Sequence, residues 1–155
     1  MKRLLITLVA LVALSASGLA LAATHGGTAT TVKVALAPGG DPLKLRPSVS
    51  TVRAGQVTFL VHNYANIPHK SYGVVDAPTG HELVVLRTNQ PPAKLRTNKA
   101  GDAIETGRVG KAVALDPGKS GSITLKLPPG NYVLICNLTG HYAAGQYAGL
   151  RVVAG

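Results

Sequence analysis

A single cysteine, Cys136, stands in a 155-residue chain that has no tryptophan, one phenylalanine and only six acidic residues. A lone thiol excludes an intramolecular disulfide framework, structural zinc sites built on several cysteines, and copper sites bridged by two thiolates. With so few aromatics the core must be aliphatic, drawn from valine, leucine and isoleucine. The carboxylates form no paired cluster, and the chain has neither a glycine-rich phosphate loop nor a Gly-x-Ser-x-Gly elbow, so an enzyme is not expected.

The amino terminus carries the long apolar run. Met1-Lys2-Arg3 precedes an apolar segment from Leu4 to about Leu14, and the small-residue pattern Ala20-Leu21-Ala22 follows. This predicts a signal peptide over residues 1–22, cleaved after Ala22, and a periplasmic or secreted mature protein. The apolar core, diluted by Ser15, Ser17 and Gly18, is short for a span of roughly 20 residues, so no integral membrane span is expected after cleavage. No cysteine lies at the cleavage site to carry a lipid.

About 133 residues then remain, enough for one domain with a real core. Residues 23–30 are small and polar and read as a flexible lead-in, leaving 31–155 as the domain. Losing Lys2 and Arg3 reduces the 16 basic residues to 14 against 6 acidic ones, a net charge of +8. These charges are spread through the chain rather than gathered in an arm, so nucleic acid is not the expected partner. Long-range attraction to an acidic protein face or an anionic surface is. In an oxidising compartment an unmated thiol is buried, paired between molecules or metal-bound.

The body of the chain reads as short strands separated by proline and glycine turns. Thr31 to Leu36 alternates, and Ala37-Pro38-Gly39-Gly40-Asp41-Pro42 ends it. Leu43 to Arg53 is a proline-interrupted segment suited to a sheet edge. Gln56 to Asn63 sets Val57, Phe59 and Val61 on one face and His62 on the other, which gives His62 a structural or surface role. Tyr64 to Gly80 is a long loop with a short strand around Tyr72 to Val75, and His81 to Thr88 has the continuous apolar centre of a strand buried on both sides. Asn89 to Ile104 is a polar surface excursion, Glu105 to Lys111 a short strand or bulge, and Leu115 to Gly121 a turn. Ser122 to Leu127, Asn131 to Cys136 and Tyr147 to Val153 complete seven or eight strands without an amphipathic helix. The fold class is all-β, a sandwich or Greek-key barrel.

The last inter-strand loop holds the chemistry. Cys136, His141 and Gln146 follow one another at five-residue intervals, giving a thiolate, an imidazole and a weak oxygen donor. A mononuclear copper site draws this set from one loop, provided that a second imidazole arrives from a different strand. His81, at the mouth of a buried strand, is the candidate. His69, after Pro68, is the rival, while His25 lies in the lead-in without a placed partner. Tyr142 and Tyr147 flank the loop as packing residues.

Three blocks carry a resemblance: His81 to Leu86, Leu115-Asp116-Pro117-Gly118-Lys119-Ser120, and Gly130 to Tyr142 with its Cys136-Asn137-Leu138-Thr139-Gly140-His141 core. With the strand Val57 to Asn63 before them, they resemble the cupredoxins, specifically small exported plastocyanin-like and sulfocyanin-like copper proteins. The resemblance implies one type 1 copper held by His81, Cys136 and His141, with Gln146 where methionine is usual. An axial glutamine, as in the stellacyanin-like branch, favours Cu(II) and lowers the potential; the alternatives are a three-coordinate ion with Gln146 turned away, or the Gly80 carbonyl in the axial place. The implied function is one-electron transfer between redox proteins, by a monomer whose basic charge meets an acidic docking face. Copper storage, delivery or resistance is the alternative, though the mature chain lacks the methionine or histidine clusters that such proteins carry.

Overall fold

The computed structural model describes residues 29–65, 80–110 and 113–155. The predicted signal peptide, His25, His69 and the strand around Tyr72 lie outside these residues. Nine strands occur among them: β1 Thr30–Leu36, β2 Leu45–Pro47, β3 Thr51–Arg53, β4 Gly55–Asn63, β5 His81–Arg87, β6 Val113–Leu115, β7 Ser120–Leu127, β8 Gly130–Ile135 and β9 Tyr147–Val153. They form two mixed sheets, β2-β1-β4-β7 and β3-β9-β8-β5-β6. The pairs β1 with β4 and β3 with β9 are parallel, and the rest are antiparallel.

The alternating strands face each other across an aliphatic core. Val32, Val34 and Leu36 of β1 and Val57, Phe59 and Val61 of β4 meet Leu83 and Val85 of β5, Tyr132 and Leu134 of β8, and Leu150 and Val152 of β9. Each such side chain, fully removed from water, contributes about 1.5–3 kcal/mol. The outer face of the first sheet is polar: His62 Nδ1 lies 2.6 Å from Ser120 Oγ, and the Thr58 and Thr124 hydroxyls are 2.9 Å apart.

The second sheet is covered on both faces, which explains the unbroken apolar runs of β5 and β8. Val84, Leu86, Val133 and Ile135 point away from the first sheet and pack with Ala103, Tyr142 and the partly buried Leu95. The segment predicted as a surface excursion supplies that cover, with one 3-10 turn at Pro92–Lys94 and an isolated bridge between Thr97 and Ala103.

Three local readings change. The proline-interrupted segment is two strands, β2 and β3, and they belong to different sheets, so the chain crosses the sandwich there. Leu115 belongs to β6, opposite His81, rather than to a turn. Of the predicted Glu105 to Lys111 segment, the described residues 105–110 contribute a single bridge, Arg108 to Leu86. Gly107 fixes its path, since its φ is +82° and a Cβ there would overlap the Arg87 carbonyl oxygen.

Candidate metal centre

Period-two alternation carries three of the candidate side chains into one place. His81 precedes Leu83 and Val85 on the core row of β5, and Cys136 follows Tyr132 and Leu134 on that of β8. Gln146 precedes Ala148, Leu150 and Val152 on that of β9. The sheet register then brings the three rows to one end. Val84 pairs with Ile135 and Ile135 with Tyr147, and one step further the Cys136 N–H donates to the Gln146 carbonyl at 3.0 Å. The fourth side chain, His141, comes from the loop, where its N–H reaches Leu138 O and its carbonyl accepts the Gln146 N–H.

All four are buried: Cys136 and Gln146 are fully so, and His81 and His141 are 2% and 3% exposed. One donor atom each from His81, Cys136 and His141 lies within 4.8 Å of the others. Cys136 Sγ is 3.8 Å from His81 Nδ1 and 3.2 Å from His141 Nδ1, and the two rings are 5.0 Å apart between centroids. An ion at about 2.0–2.3 Å from nitrogen and thiolate, in a trigonal plane, separates its donors by about 3.5–3.8 Å. The observed distances bracket that range, so the residues fit such an ion.

Gln146 is oriented by chemistry at both ends. Its Nε2 donates to the Pro42 and Lys44 carbonyls, each at 3.3 Å, and only the amide nitrogen has protons to give them. Oε1 is therefore the atom turned inward, 3.1 Å from His81 Nδ1. The inward atoms, Oε1, Sγ and two Nδ1, are all acceptors once deprotonated. Without a cation, protons must bridge them; a metal ion replaces those protons.

Burial sets the protonation of the metal-free site. It lowers His81 from 6.5 to about 4, helped by the neighbouring His141 and opposed by the Gln146 hydrogen bond. His141 is lowered by burial, again against Gln146. Both imidazoles are thus neutral at pH 7, the form that binds metal. Burial pushes the Cys136 thiol up to about 11, although the Glu82 and Leu138 backbone N–H groups point at Sγ, the former from 3.3 Å. A bound cation supplies the missing stabilisation of the thiolate.

Residues outside the predicted set hold the loop. Asn137 Oδ1 accepts the Ala103 N–H at 2.7 Å, and its Nδ2 donates to Ala103 O at 3.0 Å and Glu105 Oε1 at 2.9 Å. Asp102 Oδ1 accepts the Gly140 N–H at 3.1 Å, and the Tyr142 hydroxyl bonds the Leu95 N–H and Pro92 O. Gly101 has φ +84° and passes so close that a Cβ would stand 3.0 Å from the Ala143 Cβ. Buried Asn63 ties β4 to β6 through Leu115 O. Tyr142 and Tyr147 pack with ring centroids 5.4 Å apart, as expected of packing residues.

A β-sandwich that closes one end over a buried cysteine and two imidazoles has the cupredoxin fold, and the group could bind one type 1 copper. Solved cupredoxin structures share that fold. Dithionite-reduced auracyanin from Roseiflexus castenholzii superposes with a TM-score of 0.54 at 24% identity, over 82% of this chain and 99% of that one. Auracyanin B gives 0.53 at 26% identity, over 81% and 89%. Reduced rusticyanin gives 0.56 at 16%, over 83% and 82%, a likeness of fold. Gln146 stands beside the site as a stellacyanin-like glutamine would. No protein-family model and no curated protein matches the sequence.

Proposed function

We propose that the protein is an exported one-electron carrier in which His81 Nδ1, Cys136 Sγ and His141 Nδ1 would hold one type 1 copper, with Gln146 Oε1 as a weak fourth donor. The observation that carries this reading is the convergence of those atoms, all buried, from three core rows and one braced loop. Copper, when bound, supplies the Cu(II)/Cu(I) couple. The chain's own residues do the rest. β5, β8 and β9 fix their donors through the sheet register, and Asn137 and Asp102 pin the loop that bears His141. Burial excludes water from the donors, and two backbone N–H groups stabilise negative charge on sulfur. A framework held this firmly relaxes little when the charge at its centre changes by one, which keeps transfer fast.

Export and a monomeric state complete the proposal, and an acidic redox protein is its partner. Among the described residues no helix is long and apolar enough to cross a membrane. Voltammetry of the copper-loaded protein tests the function: a reversible one-electron wave is expected, lost in Cys136→Ser. An irreversible or absent wave in the wild type, with copper bound, contradicts it.

A further inference from the structure

The chain's charges are not evenly used around the site. In the covering segment from Thr88 to Gly110, both nearby acids are turned to internal work. Asp102 accepts from Gly140 N–H and from Asn98 Nδ2, and Glu105 accepts from Asn137 and pairs with Arg108 at 2.7 Å. Lys94, Arg96 and Lys99 of the same segment are exposed and make no ion pair or side-chain hydrogen bond among the described residues. Their direction follows from the backbone. Leu95 is extended, packs inward and bonds Tyr142 through its N–H, so Lys94 and Arg96 on either side of it face out. Lys99 lies two residues before Gly101, which abuts Ala143.

Beside these cations the loop bearing His141 exposes the small residues Ala143, Ala144 and Gly145, together with Thr139 before His141, while Ile104 stays 43% exposed on the covering segment. The Ile104 N–H bonds the Arg96 carbonyl, so the apolar and cationic positions are neighbours. Small residues let a partner's backbone approach closely, and unpaired cations around them attract negative charge from a distance.

We infer that Lys94, Arg96 and Lys99, with Ala143 to Gly145 and Ile104, form the docking face for an acidic protein surface. This localises the partner site and rests on the electron-carrier reading. A protein fits better than an anionic lipid surface, because three cations hold a membrane only weakly, whereas steering a transient redox partner needs no more.

Two charge-reversal variants test the inference, Lys94→Glu/Arg96→Glu/Lys99→Glu and, at the opposite end of the sandwich, Arg53→Glu/Lys126→Glu/Arg151→Glu. Both change net charge equally. With hexacyanoferrate(III), an anionic electron acceptor, the first should slow oxidation of the Cu(I) protein about tenfold or more at low ionic strength and the second far less. Equal slowing would show that only net charge matters and overturn the docking face. In the Cu(I) protein, a decaglutamate peptide should shift the amide resonances of residues 94–104 and 140–146, and raising salt should reverse this. Shifts spread over all lysines contradict the inference, as does binding to phosphatidylserine vesicles through the same three cations. The visible spectrum and potential of the first variant should match the wild type. An absent blue band in the wild type instead strikes at the carrier reading itself, so the two failures are told apart.

Discussion

Replacing Gln146 by methionine should raise the reduction potential, and the structure sets the scale. The substitution removes Oε1, which the Pro42 and Lys44 carbonyls hold toward the site by engaging Nε2. An oxygen dipole aimed at a cation stabilises the doubly charged ion more than the singly charged one. Hydrogen bonds to charged groups, the nearest measured analogue, contribute about 1.5–3 kcal/mol. At about 59 mV per tenfold, or per 1.4 kcal/mol, for one electron, this corresponds to about 60–130 mV. The two carbonyls also lose their donor. Both bonds are long at 3.3 Å, so stability should fall by about 1–2 kcal/mol at most, partly offset by the more apolar side chain. Potentials from voltammetry at pH 7 and urea unfolding of the same samples separate the effects. An unchanged potential beside lowered stability would show that Gln146 braces the Pro42–Lys44 loop without reaching the ion.

Two further outcomes are expected. Asn137→Ala removes three side-chain hydrogen bonds and leaves the Ala103 N–H without its partner, so urea unfolding should show a loss of about 2–3 kcal/mol and copper should exchange faster. The metal-free protein should lose stability on acidification. His81 titrates near 4 when folded and near 6.5 when unfolded, so between those values the unfolded chain binds the extra proton, and stability falls as pH is lowered. The stabilisation is fully present above about pH 6.5 and declines by about 3 kcal/mol by pH 4, with His141 acting in the same direction. Unfolding curves across that range check this. His81→Gln should flatten the profile, and an unchanged slope would contradict it.

What could be read from the sequence was what has a period. Alternation in Gln56 to Asn63 gave the right face, because burial repeats every second residue in a strand, and the continuous apolar centre of His81 to Thr88 gave burial on both faces. The site loop was legible for a similar reason, since its donors sit at fixed short intervals. The brace was not. Asn137 and Asp102 act on residues 34 and 38 positions away through side-chain to backbone bonds, which leave no periodic trace. The covering segment therefore read as a plain excursion, although it closes the second sheet and pins the loop bearing His141. The split between β2 and β3 was hidden for a different reason: three-residue strands are too short to show alternation, and the sheet each joins depends on the distant β1 and β9.

The central claim is that His81, Cys136 and His141 hold one copper through a thiolate. Its most direct test is the visible absorption spectrum after one equivalent of Cu(II) is added to purified protein. An intense thiolate-to-copper charge-transfer band is predicted, absent in Cys136→Ser; a colourless copper complex of the wild type would contradict it.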